Sequence, residues 1–488
     1  MNKEVMAEVW RCPLCTGLPP ECLAKLDGHV TTSRHVSGDL LFSKEMPADR
    51  LIIVLEGHVI LYLDDAGSRN RIARIVAAGE TCGEAAICGL GTYGVTAEVL
   101  GPTRIAAVSG AALCDVLAER FDLMLRLLTV LSVQLRALIR EIADLKMKSA
   151  AQRLGLYLLG LTDVQRGPAR VQLPYMKRLM AEALGMQPET LSRAFTKLQA
   201  VGVRTDSDDN ACAIDDVAAL RHFCKDASVE AEDARAGGPP NLPHGAGRAG
   251  VRASGHGDPP SRTHLNDADF DVVRHAPLFA GLAADELADL VDGAGIHVSA
   301  KRQHIFSAGD PADAFFVVLE GAVKLFVLSP EGCETIIEVV RAGATFAEAA
   351  IFASAGYPVH AEAFEDTRLL RIHRHDFLAK LRRNPSLALQ MFVSLGQWQL
   401  LLMGEMWQLK AQTPAQRLAW TLLKLTTACS GPATITLRDP KSVVAARIGI
   451  TPESLSRALT RLANLGVETR GNEITIASIE DLRRFAGL

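Results

Sequence analysis

Residues 186–203 read MQPETLSRAFTKLQAVGV, and residues 450–467 read ITPESLSRALTRLANLGV. The two stretches share the string Leu-Ser-Arg and the same order of apolar and polar positions, at an offset of 264 residues. Each has a proline near its start and apolar residues at helical spacing. The pair indicates one kind of helix that occurs twice in the chain.

Three further pairs of segments have the same offset. They are residues 53–63 and 317–327 (IVLEGHVILYL and VVLEGAVKLFV), residues 78–87 and 342–351 (AGETCGEAAI and AGATFAEAAI), and residues 151–161 and 415–425 (AQRLGLYLLGL and AQRLAWTLLKL). A constant offset indicates duplication of a complete unit without net insertion, and the period is too long for a solenoid. We call residues 1–225 copy one and residues 266–488 copy two.

Each copy ends in a pattern that predicts a helix-turn-helix. The strings LGM (184–186) and IGI (448–450) each contain a glycine, which permits a tight turn between two helices. In copy two, Thr451 is predicted to cap the following helix and Pro452 to occupy its first turn. Glutamate, serine and arginine then follow at spacings i, i+3 and i+4 on one helix face: Glu453, Ser456 and Arg457 in copy two, and Glu189, Ser192 and Arg193 in copy one.

This face has the chemistry of a major-groove reader. Arginine can bond a guanine edge with two hydrogen bonds, glutamate can accept from a cytosine amine, and serine can reach a base or a phosphate. Lys197 and Arg461 lie one turn further along and are predicted to hold phosphates. A solvated helix face is the other interpretation, but two occurrences in the same setting favour DNA recognition.

A β domain and a long helix precede each helix-turn-helix pattern. Short alternating segments with glycine, aspartate and proline between them predict a small β-roll. A heptad seam follows, which predicts a helix that pairs with another helix. In copy one the seam is Phe121, Met124, Leu128, Leu131, Leu135, Leu138, Ile142 and Leu145, and in copy two it is Pro385, Ala388, Phe392, Leu395, Gln399, Leu402, Met406 and Leu409.

The predicted fold class is therefore α+β, in two repeats. Copy one is predicted to comprise a sensor β-roll (1–110), a long dimerisation helix (111–148) and a winged helix-turn-helix (149–225). Copy two is predicted to repeat these at 266–374, 375–412 and 413–488. The connecting residues 226–265 are rich in Gly, Pro and Ala, so they are predicted to form a disordered linker spanning roughly 35 Å.

Composition narrows the function. The 488 residues are 48% hydrophobic and carry a formal net charge of −4, so a DNA-binding protein must concentrate its basic residues locally. The chain lacks an uninterrupted apolar run of about 18 residues and a signal-peptide core, which predicts a cytoplasmic protein without membrane contact. Ten cysteines in that compartment indicate free thiols, metal ligands or redox sensors. Because no specific catalytic motif occurs, we predict that the protein is not an enzyme.

Both copies resemble the cyclic-AMP receptor protein / fumarate-nitrate reductase regulator (CRP/FNR) superfamily over nearly their whole length. The strings ETLSR and ESLSR resemble the Glu-x-x-Ser-Arg recognition helix of the fumarate-nitrate regulator branch. The resemblance implies a transcription regulator that binds double-stranded DNA at an inverted repeat of TTGAT-like half-sites and has RNA polymerase as a protein partner. A cyclic-nucleotide-binding-fold scaffold that does not bind DNA is the alternative.

Family members are homodimers whose long helices form the two-fold interface, so the duplication implies an intramolecular pseudo-dimer. The predicted wing of copy one departs from the pattern, because RTDSDDNACAI places Asp206, Asp208 and Asp209 together. Acidic residues beside phosphates are repulsive. We therefore predict that copy one binds DNA more weakly than copy two, whose wing reads ETRGNEITI.

The sequence argues against one effector and leaves other candidates open. In cyclic-nucleotide-binding relatives, a Gly-Glu pair in the phosphate cassette is followed about ten residues later by an arginine that holds the phosphate. Copy one has Gly83 and Glu84, and copy two has Ala347 and Glu348, but neither following stretch contains an arginine. A buried phosphate without a cation is costly, so the sequence argues against cyclic AMP.

An iron–sulfur cluster is a second candidate. Cys12, Cys15 and Cys22 in CPLCTGLPPEC resemble the N-terminal cysteine group of the oxygen-sensing branch, and thiolates at such spacing can ligate a cluster. The family's fourth-cysteine position corresponds to Ala106, so Cys82, Cys88 or Cys114 would have to replace it. Copy two has APLFAGLAADE at the equivalent place, so the segment also exists without these thiols.

Heme is a third candidate. The strings YPVHAEA and FAEAAIF make copy two resemble the dissimilative nitrate respiration regulator branch, which implies a heme-dependent nitric oxide sensor. A heme needs an axial ligand and an apolar pocket. The available histidines are His297, His304 and His360 in copy two, and His29, His35 and His58 in copy one. The sequence also leaves open another effector, or no effector at all.

Overall fold

A computed structural model describes residues 9, 25–26, 28–63, 71–84, 87, 91–174, 176–206, 211–225, 265–280, 282–329, 332, 334–353 and 355–487. The predicted linker lies outside these residues except for Leu265. Several residues singled out in the sequence also lie outside them: Cys12, Cys15, Cys22, Cys88, Asp208 and Asp209.

The β domain of copy one is a single antiparallel sheet in the described part of the chain. Its strands are β1 (Val30–His35), β2 (Leu40–Phe42), β3 (Arg50–Leu63), β4 (Arg71–Ala77), β5 (Thr81–Cys82) and β6 (Thr96–Ser109). The order is β1-β6-β3-β4, with β2 paired to β6 and β5 paired to β3. Strand β3 has two buried runs separated by bulges near Glu56, so the sheet curves around the apolar core, as a β-roll requires.

The helical part of copy one follows directly. A short helix (Gly110–Glu119) leads into the first long helix (Phe121–Met147). The helix-turn-helix domain then contains the helices Ala150–Gly160, Lys177–Ala183, Pro188–Gln199 and Val217–Lys225. Its strands β7 (Ala169–Gln172), β8 (Val203–Asp206) and β9 (Ala211–Ile214) form a sheet in the order β7-β9-β8, which is the wing.

Copy two repeats this plan. Its β domain has helices Asp267–Arg274 and Ala284–Val291 and strands β10 (Gly295–Ser299), β11 (His304–Phe306), β12 (Ala314–Glu320), β13 (Ala322–Leu328), β14 (Glu334–Arg341), β15 (Thr345–Phe346), β16 (His360–Ala363) and β17 (Thr367–His373). The short helix Arg374–Arg383 and the second long helix (Pro385–Ala411) follow. The last domain has helices Pro414–Lys424, Lys441–Arg447, Pro452–Ala463 and Ile479–Ala486, and strands β18 (Ala433–Thr436), β19 (Val467–Arg470) and β20 (Glu473–Ile476).

The β-roll of copy two is divided into two sheets, with orders β10-β17-β12-β15 and β11-β16-β13-β14. The division falls at Gly321 in the repeated LEG string, where φ is +81°. A Cβ at this position would collide with the carbonyl oxygen of Asp366, so only glycine lets the chain pass from one sheet to the other.

The predicted dimerisation segments each divide into a short and a long helix. The break falls at Arg120 in copy one and at Asn384 in copy two, and both residues have extended backbones. In copy two Pro385 disfavours helix at the residue before it, and the Asn384 side chain accepts a hydrogen bond from the Leu387 amide as an N-cap. Neither division is visible in the heptad pattern.

The two long helices pack against each other. The central seam positions are buried on both sides: Met124, Leu128, Leu131, Leu135, Leu138 and Ile142, and Ala388, Phe392, Leu395, Gln399, Leu402 and Met406. The seam weakens at its ends, where Phe121 and Leu145 are half-buried and Pro385 is exposed. The polar Gln399 is accommodated because its side-chain amide donates to the Gln134 side-chain oxygen across the interface.

Two ion pairs at the far end of the interface relate the copies by a pseudo-two-fold axis. Lys146 Nζ lies 2.8 Å from Glu405 Oε1, and Lys410 Nζ lies 2.6 Å from Glu141 Oε1. Glu141 corresponds to Glu405, and Lys146 corresponds to Lys410, at the repeat offset of 264 residues. The two ion pairs are therefore the same contact made twice. Reciprocal contacts of this kind define an isologous interface. The copies therefore pair within the chain in this structure.

The second long helix has the length and mean hydropathy (1.2) of a membrane span. Half of its most apolar window is nevertheless buried inside the structure. Its contacts with the first long helix explain the composition, because a helix that is apolar on most sides is expected in the middle of a core.

Candidate DNA-binding interface and effector pockets

The first recognition helix (Pro188–Gln199) and the second recognition helix (Pro452–Ala463) separate an apolar face from a polar one. The apolar faces are buried, through Leu191, Ala194, Phe195 and Leu198 in the first and Leu455, Ala458 and Leu462 in the second. All eight residues predicted to contact DNA are exposed: Glu189, Ser192, Arg193, Lys197, Glu453, Ser456, Arg457 and Arg461. The structure thus brings each predicted set together on one accessible face.

Local hydrogen bonds orient the second recognition helix more firmly than the first. The Thr451 hydroxyl accepts from the Ser454 amide at 3.3 Å, as predicted for an N-cap, whereas Gln187 makes no side-chain cap in copy one. Arg457 Nη2 donates to the Ser454 hydroxyl at 3.0 Å, and Arg193 Nη2 makes the equivalent bond to the Thr190 hydroxyl at 3.3 Å in copy one, so the cap alone distinguishes the two helices. The Thr451 hydroxyl also lowers the pKa of Glu453, which keeps that carboxylate ionised and able to accept hydrogen bonds.

The glycines between the two helices of each motif have a second role that the sequence did not predict. Gly185 and Gly449 have φ of +65° and +68°, as their tight turns require. A Cβ on Gly185 would lie 2.6 Å from Lys410 Cγ, and one on Gly449 would lie 2.9 Å from Lys146 Cγ. Each helix-turn-helix therefore rests on a lysine stem from the opposite copy's long helix, next to the reciprocal ion pairs.

Each DNA-binding domain also packs on its own β domain. In copy one, Leu179 contacts an apolar patch formed by Ile60, Tyr62 and Ile72. In copy two, Val443 and Ala446 contact the equivalent patch, and Arg341 forms an ion pair with Asp439. The wing carrying Asp206 is described only in part, so the predicted weaker DNA contact of copy one stays a prediction.

A cavity lies between the β-roll of copy two and the first long helix. We call it the copy-two pocket. It is lined by Phe306, Leu325, Ile337, Ala347, Ala349, Ala350, Tyr357, Pro358, Val359, Ser132, Leu135, Arg136, Ile139 and Trp398. Arg136 and Ser132 come from copy one, so the cavity exists only where the copies meet. Neither residue was predicted from the sequence, because nothing in the cassette indicates which residues of the opposite long helix face it.

The equivalent copy-one pocket lies between the β-roll of copy one and the second long helix. Its lining includes Arg74, Cys82, Glu84, Gly94, Gln399, Leu400 and Met403. Position 400 corresponds to Arg136 at the repeat offset, so copy two contributes a leucine where copy one contributes an arginine. The two pockets are thus related in position but not in charge.

The described residues do not fit a heme in either pocket. None of those lining the copy-two pocket is a histidine or cysteine. In the copy-one pocket the nearest candidate is Cys82, but burial beside Glu84 raises the pKa of its thiol far above the usual value. His304 and His360 face each other outside the cavity, with ring centroids 6.2 Å apart. His29, His35, His58 and His297 also lie outside the two linings.

Glu348 is expected to make folding stability fall as pH rises. Its side chain is buried, one carboxylate oxygen has no hydrogen-bond partner among the described residues, and burial raises its pKa from 4.5 to about 7. Between these values the folded chain holds a proton that the unfolded chain loses, so the contribution of Glu348 to stability is fully present below pH 4.5 and decreases by about 3 kcal/mol up to pH 7.

Urea unfolding at pH 5 and pH 7 measures this effect. Glu348→Gln should reduce the difference between the two pH values, while part of it persists because burial also raises the pKa of Glu338. An unchanged difference in the glutamine variant would show that other groups cause it.

Comparison with known proteins agrees with this architecture. The cyclic nucleotide-binding domain family matches residues 34–120 and 297–384, and the Crp-like helix-turn-helix domain family matches residues 152–223 and 416–485. The cyclic AMP receptor protein of Thermus thermophilus is 31% identical over 41% of this chain and 91% of its own length. The nitrogen fixation regulation protein FixK of Bradyrhizobium diazoefficiens is 27% identical over 39% of this chain and 80% of its own length.

Among solved structures, that of DNR from Pseudomonas aeruginosa is 29% identical, with a TM-score of 0.27, and covers 46% of this chain and all of that one. The families matched are a ligand-binding domain and a DNA-binding domain, and neither is an enzyme family. Because a DNA-binding domain is matched in both copies, the scaffold alternative loses its basis. The chain is a tandemly duplicated member of the CRP/FNR family of DNA-binding transcription regulators.

Proposed function

We propose that one chain binds one inverted repeat of TTGAT-like half-sites, with each recognition helix reading one half-site. The observation that carries this proposal is the reciprocal pairing of Lys146 with Glu405 and of Lys410 with Glu141. A pseudo-two-fold axis through the long helices relates the two exposed reading faces, as the symmetry of an inverted repeat requires.

A fluorescence-anisotropy titration with full-length protein tests the proposal. We expect saturation at one chain per duplex, with light scattering giving the mass of one chain, free or bound. Shifting the half-sites apart by five base pairs, about half a helical turn, should abolish the specific component because the two helices would then face different sides of the duplex. Two chains per duplex would contradict the intramolecular arrangement.

The site sequence and the protein partner are also part of the proposal. The Glu-Ser-Arg face supports a G·C pair within each half-site, because arginine and glutamate bond guanine and cytosine respectively. RNA polymerase is the proposed partner, and the cytoplasm is the proposed compartment. Stimulated or repressed transcription from a promoter carrying the site, in a purified system with RNA polymerase, checks the partner.

A redox signal read through thiols of copy one is our proposal for the input. Lys25 forms an ion pair with Glu119 on the helix Gly110–Glu119, which also carries the half-buried Cys114. This contact joins Lys25, three positions after Cys22 in the sequence, to the helix of Cys114, and supports Cys114 as the fourth thiol beside Cys12, Cys15 and Cys22. An iron–sulfur cluster bound there would supply a group that oxygen or nitric oxide can alter.

An absorption spectrum of anaerobically purified protein, with iron and sulfide assays, tests this input. We expect a broad visible band that air bleaches and that Cys114→Ser weakens, while the matched control Cys429→Ser, at an exposed cysteine of copy two, leaves it unchanged. A Soret band would instead indicate heme. A colourless protein after reconstitution would contradict both cofactors.

A further inference from the structure

We propose that the chain binds its DNA site in one orientation, because Gln187 of copy one reads an adenine that copy two leaves unread. The inference rests on the proposed function, in which each recognition helix of one chain reads one half-site. It names the residue that makes the two half-sites unequal.

Gln187 and Thr451 occupy the same place in the repeat, at the start of the two recognition helices. Their backbones are nearly identical, with φ and ψ of −74° and 153° at Gln187 and of −76° and 159° at Thr451. The side chains are used differently. The Thr451 hydroxyl accepts from the Ser454 amide and donates to the Ser454 hydroxyl, both at 3.3 Å. The exposed side chain of Gln187 makes no cap bond, so its amide is available to a ligand.

The chemistry of Gln187 suits the edge of an adenine. A glutamine amide carries both a donor and an acceptor, and it can bond N6 and N7 of adenine together in the major groove. The N-terminal residues of a recognition helix are those that contact base edges, and Gln187 lies two positions before Glu189 in the first turn. The shorter Thr451 side chain has already used its hydroxyl within the helix. Copy one therefore has a reader for one more base pair than copy two.

The wings also differ between the copies. Strand β8 reads VRTD and strand β19 reads VETR, so Arg204 corresponds to Glu468 and Arg470 corresponds to Asp206. Both arginine side chains are exposed, at 70% and 86%, and each contacts one carboxylate in a surface pair weak enough for a phosphate to compete. Two residues along a strand span roughly 7 Å. The wing cations would therefore meet the DNA backbone at points that the pseudo-two-fold axis does not relate.

Unequal copies give the complex with DNA a direction. Two identical chains bind an inverted repeat equally well either way round, because exchanging them restores the same contacts. In this chain the two copies are not interchangeable, so a site with the adenine in one half favours the orientation that places copy one there. The bound regulator then presents the same β-roll to the same side of its site every time.

Anisotropy titrations of the full-length chain test the inference with inverted repeats that differ at one position. Each base pair of the half-site, and two on either side of it, is set to G·C in both halves and then changed to A·T in one half or in both. At one position we expect the first A·T pair to raise affinity about fivefold, which is a tenfold contact averaged over two orientations, and the second to add no more than about twofold. A reader present in both copies would instead give two equal gains.

Exchanging the two residues provides the variants. Gln187→Thr should abolish the first gain, and Thr451→Gln should make the second gain about equal to the first by giving copy two the same reader. Gln199→Ala, at the other end of the first recognition helix, is the matched control and should change neither gain. Each gain is a ratio measured within one variant, so a general loss of affinity from the missing Thr451 cap cancels.

Three results would overturn the inference: no position with a gain from the first A·T pair, equal gains from both pairs in the natural chain, or an undiminished gain in Gln187→Thr. Each of them can occur while one chain still binds the repeat of TTGAT-like half-sites specifically, which leaves the proposed function intact. Absence of specific binding to every repeat would overturn both.

Discussion

Replacing Arg457 with alanine is expected to lower affinity for the inverted-repeat duplex by about 10- to 100-fold, or roughly 1–3 kcal/mol. The Arg457 side chain is exposed on the second recognition helix, and its hydrogen bond to Ser454 directs the guanidinium along the reading face. If Arg457 reads a guanine as proposed, its loss would remove two hydrogen bonds to that base. Discrimination against a changed G·C pair should therefore decrease together with affinity, as an anisotropy titration on matched duplexes would show.

Arg461→Ala and Arg193→Ala provide the two controls. Arg461 is predicted to hold a phosphate, so its loss should weaken binding to all duplexes alike and reduce the dependence of log K on log salt by about one. Arg193→Ala should have a smaller effect than Arg457→Ala because copy one is predicted to bind more weakly. If Arg457→Ala lowered the affinity for specific and random duplexes equally, the second recognition helix would not be reading bases through Arg457.

The second large effect is expected from Glu405→Ala, which should destabilise the junction of the long helices by about 3 kcal/mol. The Lys146 side chain is 1% exposed, and apart from Glu405 its ammonium bonds to the Ile336 carbonyl. Burial already lowers the pKa of Lys146, and removing the carboxylate leaves that charge without its counter-ion. Urea unfolding followed by tryptophan fluorescence suits this test, because two of the four tryptophans, Trp398 and Trp407, lie on the second long helix itself.

The repeat supplies a matched control for this variant. Glu141→Ala breaks the equivalent ion pair, but Lys410 and Glu141 are more exposed, at 8% and 45%, so the loss should be smaller. The double variant Lys146→Met/Glu405→Leu should recover most of the stability, since a buried ion pair can be replaced by apolar residues at little cost. Equal losses in the two single variants would show that burial of the lysine does not set the effect.

Features with local causes were predictable from the sequence. The period of the apolar residues placed Leu128, Leu131 and Leu135 in the helix interface, and the same reasoning placed Arg193 and Arg457 on exposed helix faces. The α+β class and the presence of two winged domains followed from the repeat and from strand-like alternation. These inferences depend on neighbours within a few residues in the chain.

Features that depend on distant residues were missed. Arg136 falls outside the seam of apolar residues, and its role becomes visible only when Gly356, 220 residues away, is placed beside it. The pairing of Lys146 with Glu405 joins two different helices 259 residues apart, so the pattern of either helix alone does not predict it. The close approach of Gly321 to Asp366 was also not predicted, and Gly57 approaches Pro102 in the same way in copy one, because both contacts join residues 45 positions apart.

The joining of both partners in one polypeptide has a consequence for mass action. A dimer assembled from separate chains dissociates on dilution, so the amount of its active form falls with the square of total concentration. The reciprocal contacts between the long helices form here at a fixed effective concentration set by the connecting chain. Occupancy of a promoter should therefore respond linearly to copy number at low expression, and a few molecules per cell would act without first having to find each other.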